Sequence, residues 1–304
     1  MIEIYFKELP HEKLEKIPDF RAGSWIRIID AKLEDLHVIA KVANIHIDDL
    51  RDSLDKQEIP RLELRDDNLF LFTRHPSEPE PGLYTTTLVL ILTPSYFITI
   101  SPYRSEVIEH LLLIHPPTTQ KTRLLLSILL KTAQDYSNSI KRVHHAILEQ
   151  EQSSRTVNSQ AIVLLTKYEE VLNQYLMSLV PMRNLLEQMS SNRHPIPYDI
   201  DLEMIHDQLN AIRQSADLCH VNVKSIRSLR DSYQILFTND VNRTIKLLTA
   251  LTIIFMIPTI IASFYGMNVD IPFQHKPHAF AGILAISLIA SIATVLFFVR
   301  KRWL

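Results

Sequence analysis

Asn242, Ile245, Thr249, Thr252, Met256, Thr259 and Ser263 recur at alternating intervals of three and four, which puts them on one face of a helix. Hydroxyl and amide oxygens are neutral acceptors. They can hold a cation through its own water shell without the grip of a carboxylate. The surrounding run is apolar: Leu247–Val269 is free of charge over about 23 residues, enough to cross a hydrocarbon core of roughly 30 Å. Leu247, Leu251, Ile254, Ile257 and Ile261 occupy the other faces. A polar stripe on a membrane helix belongs against other helices or against water. The alternative is that its hydroxyls bond back to their own helix or join helices together.

The run ends in Tyr265-Gly266-Met267-Asn268, and a second apolar segment follows a short loop. Tyr-Gly-Met-Asn in this place, before the last of two spans and a basic tail, resembles the CorA family of divalent metal cation (magnesium/cobalt) transporters. The resemblance continues upstream through Asn242, Lys246, Leu248 and Thr249, and nearer the motif through Phe255-Met256 and Thr259. Trp25-Ile26-Arg27-Ile28, Pro60-Arg61-Leu62-Glu63 and Leu69-Phe70-Leu71-Phe72 look like the amino-terminal domain of the same family. Pro258 departs from the pattern, because the family often sets its proline directly after the methionine, where this chain has Ile257.

Composition narrows the function classes. The 304 residues suit one domain of a couple of hundred residues plus a membrane segment. A net charge of −2 implies no polybasic nucleic-acid surface. The single cysteine, Cys219, leaves no internal disulfide and reads as a small core residue on an apolar helical face. Only 4 glycines occur, and neither GxGxxG nor GxxxxGK[ST] is among their contexts, which disfavours phosphate loops. Spending one of them at Gly266 suggests a tight turn leaving the helix, with a backbone conformation closed to other residues. Met1-Ile2-Glu3-Ile4 lacks the basic-then-apolar pattern of a signal peptide, so the bulk of the chain is expected on the side where it is made. No catalytic constellation is present, and the chain does not read as an enzyme.

The elements that must position the stripe follow from periodicity. Residues 1–117 read as an α+β cytosolic domain with a mixed sheet: strands at Ile2–Lys7 and Trp25–Asp30, a helix at Lys32–Ala43, and a further helical turn or two at Asp48–Leu54. A hairpin at Arg61–Leu64 and Leu69–Thr73 turns at Asp66-Asp67-Asn68, Ser77–Gly82 reads as a Pro- and Glu-rich loop, and strands return at Thr85–Leu92 and Tyr96–Ser101. Residues 118–197 read as two long antiparallel helices split around Ser153–Ser159, with Pro181 kinking or ending the second and Ser190–Pro197 as a linker. His144-His145 diverge by about 100° on a helix and are poorly placed to share one metal ion. Residues 198–267 read as a single stalk helix running on into the first span, with Leu202, Ile205, Leu209, Ile212, Ala216, Cys219, Val223 and Ile226 in coiled-coil spacing. At 1.5 Å per residue such a helix is roughly 100 Å long. Residues 268–278 form a short external loop, 279–299 the second span, and 300–304 a basic cytosolic tail. Arg243, Lys246, Arg300, Lys301 and Arg302 flank the spans and place both termini in the cytoplasm, with Trp303 as an interfacial anchor.

What the resemblance implies is a homopentamer in the plasma (inner) membrane, five first spans around a channel, and Mg2+ as the transported and regulatory ion. Co2+, Ni2+ or Zn2+ are possible cargoes, and no resident cofactor is expected. Asn242, Ile245, Leu248, Thr249, Thr252, Met256, Thr259 and Ser263 would line the pore, with Leu248 and Met256 as apolar constrictions. Tyr265, Gly266, Met267 and Asn268 would form the selectivity mouth, with Asn268 capturing the hydrated ion. Asp231 fits the family's regulatory carboxylate, Asp52 its partner on an adjacent subunit, and Asp207 a second stalk carboxylate, while Arg51 stands where the family often has an acid. The loop Asp270-Ile271-Pro272-Phe273-Gln274-His275-Lys276-Pro277-His278 lacks the acidic character of many magnesium-type members, and its histidines suit zinc, nickel or cobalt. Two other readings stay open: a zinc transporter of the same superfamily, with or without proton coupling, and a non-conducting membrane-tethered cation sensor.

Overall fold

The computed structural model describes residues 1–8, 13–152, 159–191, 199–267, 278–301 and 303. They form two compact units, Met1–Leu229 and Arg230–Leu304. The first opens with a sheet built from β1 (Ile2–Phe6), β2 (Glu15–Lys16), β3 (Trp25–Ile29), β4 (Arg61–Arg65), β5 (Asn68–Glu80), β6 (Leu83–Leu92) and β7 (Phe97–Ser101). Their spatial order is β2-β1-β3-β7-β6-β5-β4. Only β3 and β7 pair in parallel, so the sheet is mixed. Helices α1 (Leu33–Ala43) and α2 (Ile47–Arg51), continued by a 3-10 turn at Asp52–Leu54, connect β3 to β4.

Alternation along the strands assigns the two faces. Ile26, Ile28, Phe70, Phe72, Val89, Ile91, Ile98 and Ile100 pack with Leu36, Ile39 and Leu50 in one buried core. The opposite face receives helices. These are α3 (Glu106–Ile114), α4 (Lys121–Gln152) and α5 (Ser159–Ser190). Thr73 Oγ1 reaches Met182 Sδ on α5 at 3.7 Å, and Tyr136 on α4 donates to the Arg74 carbonyl at 3.2 Å. α6 (Asp199–Tyr265) is one helix of 67 residues. Gln208 donates to the Leu126 carbonyl and His144 meets Asn222, so α4 and α6 run the same way. Arg213 pairs with Glu187 and Arg227 with Glu169, so α5 runs against both. Of the stripe expected from spacing, Ile205, Leu209, Ile212, Ala216, Cys219, Val223 and Ile226 are buried and Leu202 is half-buried. Burial pushes the Cys219 thiol up to about 12, which makes it inert packing rather than a nucleophile.

One expectation is overturned, one of two alternatives at Pro181 closes, and one helix is new. Ser77–Gly82 is not a loop: β5 continues to Glu80, shifts register against β6 between Pro76 and Glu80, and turns at Pro81-Gly82, with Gly82 at φ +83°. β4 pairs only with residues 68–72, so the later part of β5 has one unpaired edge, where proline's missing donor does no harm. Pro181 does not end α5, because Leu179, Met182, Leu185 and Leu186 are buried around it. α3 has no counterpart in the sequence reading, although Val107, Ile108 and Leu111 bury one face of it. The split at 153–158 and most of the 190–197 linker lie outside the described residues.

His75, on β5, is fully buried, with Nδ1 3.2 Å from the Pro76 carbonyl and no hydrogen-bond partner for Nε2 among the described residues. Burial pushes its imidazole from the ordinary 6.5 down to about 4, with Asp135 opposing and Arg74 assisting that shift. The unfolded chain therefore takes up this proton first as pH falls, and stability present above about 6.5 is lost on the way down to about 4. The contribution is on the order of 3 kcal/mol. Thermal unfolding in detergent is expected to show His75→Leu losing less of its midpoint than the parent chain between pH 6.5 and 4.

Candidate functional site

The second unit contains two apolar helices, the last stretch of α6 and α7 (Ala279–Arg300). Beyond Lys246, the buried or half-buried positions of α6 are Ala250, Ile254, Ile257, Pro258 and Ile261. On α7 they are Ala279, Ile283, Ser287, Ala290, Ser291, Thr294, Val295 and Phe298. Both sets keep a three-four spacing, which marks a seam between the helices. The α7 side is rich in small residues, as close approach of two membrane helices requires. At the far end the seam opens into a groove of about 470 Å3 bordered by Pro258, Ile261, Tyr265, Gly266, Ala279 and Ile283.

The hydroxyl stripe is on the other side. At about 100° per residue, Asn242, Ile245, Thr249, Thr252, Met256, Thr259 and Ser263 centre roughly opposite the seam. All of them are exposed, as is Leu248. Thr249, Thr252 and Thr259 each donate to the carbonyl four residues back, at 2.8 Å in every case. The hydroxyls thus bond back to their own helix, with a chemical corollary. The hydroxyl proton is committed to the helix, so the oxygen turned outward offers only lone pairs. Thr249, Thr252 and Thr259 thus present acceptors along a stripe free of charged groups.

Tyr265 ends α6, and Gly266 and Met267 follow it. Gly266 does not adopt a left-handed φ, contrary to the expectation of a special turn. Its amide donates to the Ala262 carbonyl at 3.0 Å, and that same oxygen would lie 3.3 Å from an added Cβ. What glycine supplies here is clearance over the last helical turn. Asn268 and the loop to Pro277, including Asp270 and His275, lie outside the described residues.

The carboxylates expected to be regulatory form no metal centre among the described residues. Among the described residues, no group of three or more His, Cys, Asp or Glu could hold an ion. Asp207 and Asp231 are exposed on α6. Asp52 is already engaged, its Oδ2 accepting from Arg61 Nη2 at 2.6 Å. Arg61 also binds Glu58 at 2.5 Å and Glu63 at 2.6 Å, and lies 3.9 Å over the Phe72 ring. Arg51 pairs with Asp48 at 3.2 Å. Arg61 was visible in Pro60-Arg61-Leu62-Glu63, but nothing in the linear order joined it to Asp52. His144 and His145 have ring centroids 6.1 Å apart, and His144 is bound to Asn222 at 2.8 Å, so the pair does not converge on an ion.

The seam makes its own prediction. Ala250→Leu inserts volume where Ala250 is fully buried, and overpacking of this kind costs about 1–3 kcal/mol. The thermal midpoint in detergent should fall, whereas Ala293→Leu, on the exposed face of α7, should leave it in place.

Comparison with known proteins covers nearly the whole chain. Residues 21–302 match the family model described as CorA-like Mg2+ transporter protein. The cobalt/magnesium transport protein CorA of Methanocaldococcus jannaschii is 26% identical over 305 residues, covering 96% of this chain and 95% of that relative. The complete structure of the CorA magnesium transporter from the same organism superimposes with a TM-score of 0.82 at 24% identity, covering 100% of this chain and 99% of that one. The cytoplasmic domain of ZntB from Vibrio parahaemolyticus shares the fold, with a TM-score of 0.65 at 12% identity over 78% of this chain and 98% of its own.

Proposed function

The chain belongs to the CorA family, whose members are divalent-cation transporters with two membrane spans, and from that membership we propose that it forms a homopentameric channel whose main cargo is Mg2+. The observation that carries the reading is the row of outward acceptors on the face of α6 turned away from α7. One such stripe cannot enclose a path. Five copies facing one axis can, with α7 on the outside and both termini in the cytoplasm. Magnesium gives up its water reluctantly and keeps octahedral geometry. Its bound waters present hydrogens, and a lining of threonine oxygens, Asn242 amides and backbone carbonyls accepts them. Carboxylates in the lining would hold the ion too strongly for rapid release, and the stripe has none.

Asn268, with Tyr265, Gly266 and Met267, is the proposed capture and selectivity site. Leu248 and Met256, both more than half exposed, are the proposed apolar constrictions. Flux into proteoliposomes under an inside-negative potential tests the whole reading, with Mg2+, Co2+, Ni2+ and Zn2+ compared and Asn268→Ala alongside. Magnesium entry that Asn268→Ala abolishes is the expected result. Zinc entry following a pH gradient without magnesium flux would move the chain to a zinc transporter, and silence toward every ion in folded pentamers would leave a sensor.

Closure by cytosolic cation through Asp231, Asp52 and Asp207 belongs to the same proposal. In this chain the incoming ion must compete with Arg61 for Asp52. Replacing Arg61 by Gln is therefore expected to lower the internal Mg2+ concentration that halves the flux. An unchanged or raised value would remove Asp52 from the gating site.

A further inference from the structure

Arg74 is a cation placed where a cation is costly. It lies on β5, facing the same side of the sheet as Phe70 and Phe72, and is 7% exposed. Its guanidinium donates to Thr85 Oγ1 at 2.9 Å and the Thr85 carbonyl at 2.8 Å, and more loosely to Thr87 Oγ1 at 3.4 Å and the Lys56 and Glu58 carbonyls at 3.3 Å. Every one of these acceptors is neutral. The nearby carboxylates that act on it through space are committed elsewhere: Glu58 Oε1 accepts from Arg61 and from the Ile59 amide, and Asp55 Oδ1 from the Gln57 amide. Burial pulls the guanidinium below its ordinary range, the direction expected of a charge without a counter-ion. Buried charges are ordinarily paired, because desolvating one alone costs several kcal/mol (about that order per ion).

The guanidinium does not end in packed protein. Arg74 borders a cleft of about 210 Å3 lined also by the polar Gln57, Thr85 and Gln174 and by the apolar Ile59, Leu83 and Met177. Gln174 holds the mouth open by accepting from the Tyr84 amide at 2.9 Å and donating to the Gly82 carbonyl at 2.7 Å. Among the described residues Nη2 makes one hydrogen bond and carries two hydrogens, so one donor remains for an occupant. The volume lies below the roughly 300 Å3 at which sites for drug-sized ligands begin. It suits a few heavy atoms rather than a nucleotide.

We propose that this cleft is a binding site for a small oxyanion, a phosphate or a carboxylate, which supplies the counter-charge to Arg74. It is separate from the cation path, since no residue of the hydroxyl stripe or of the carboxylate set lines it. The fixed carbonyl and threonine partners hold the guanidinium plane, and the anion takes the remaining donor in a charge-assisted bond.

The test uses the full-length protein in detergent, followed by thermal unfolding and by calorimetric titration with sodium phosphate and, separately, sodium acetate. Sodium chloride at matched ionic strength is the control. Saturable binding of one or both, with a rise in midpoint that chloride does not give, is expected, and the two arms tell a tetrahedral from a planar anion. Arg74→Met is expected to weaken binding about tenfold or more, equivalent to at least 1.4 kcal/mol. A folding failure in that variant would not end the test, because Gln57→Glu leaves Arg74 in place and puts a tethered carboxylate at the cleft. It should abolish the response to added anion. No saturable response to either anion in the parent chain, or the same response in Gln57→Glu, would overturn the site and leave Arg74 as a strut for the carbonyls of residues 56, 58 and 85.

Discussion

Hydrocarbon offers no partner for a polar group, and the second unit is built around that constraint. Its helices keep their backbone bonds internal, as any spanning segment must. The same rule extends to side chains: Thr249, Thr252, Thr259 and Thr294 each return a proton to the carbonyl four residues earlier. Only Ser291 Oγ, in the seam, is buried there without a partner among the described residues. Once the donors are absorbed, what faces outward is oxygen lone pairs on α6 and methyl groups elsewhere. The three threonine oxygens on that face offer acceptors to a water-bearing group, and the Asn242 amide adds donors there. The chemistry of the exposed face thus follows from how the helix disposes of its own hydrogen bonds.

In the first unit, guanidinium groups instead mediate the polar contacts across layers. Arg27, 3% exposed, joins β3 to Glu109 on α3 at 2.5 Å. Arg61 gathers Asp52, Glu58 and Glu63, and Arg65 ties Asp49 to Glu63. A planar group with several donors suits this role better than an ammonium does. Around Asp52 the result is a carboxylate that shares one guanidinium with Glu58 and Glu63, so another cation that approaches it meets a competitor but also a net negative cluster.

Much of this was legible in the order of residues. Periodicity located β3, β6, β7, α1 and the buried stripe of α6 within a residue or two, because each carries an apolar pattern matched to its own geometry. The two apolar helices were legible from length and charge alone. The tail of β5 was not, since Pro76, Pro79 and Glu80 speak for a loop and only their place on a half-open edge reverses that. Gly266 was read for an unusual backbone and turned out to need only room above the Ala262 carbonyl. The Arg61–Asp52 contact escaped because both residues are ordinary in their own segments and meet only when β4 packs beside the 3-10 turn. The opposition of seam and stripe lies between these cases. The stripe could be counted from spacing, but the face that α7 chooses could not.

The one parallel pairing in the sheet, β3 with β7, joins residues 25–29 to residues 97–101. During synthesis the first strands therefore wait for the seventh, and no subset of the amino-terminal hundred residues completes the sheet. Chain growth at 5–20 residues per second separates Ser101 from the first apolar run at Leu247 by roughly 7–30 s. Long-range pairing of this kind is slow to nucleate, and that interval lets the sheet close while the rest of the chain is still being made. The order of elements along the chain thus separates in time two folding problems that take place in different solvents.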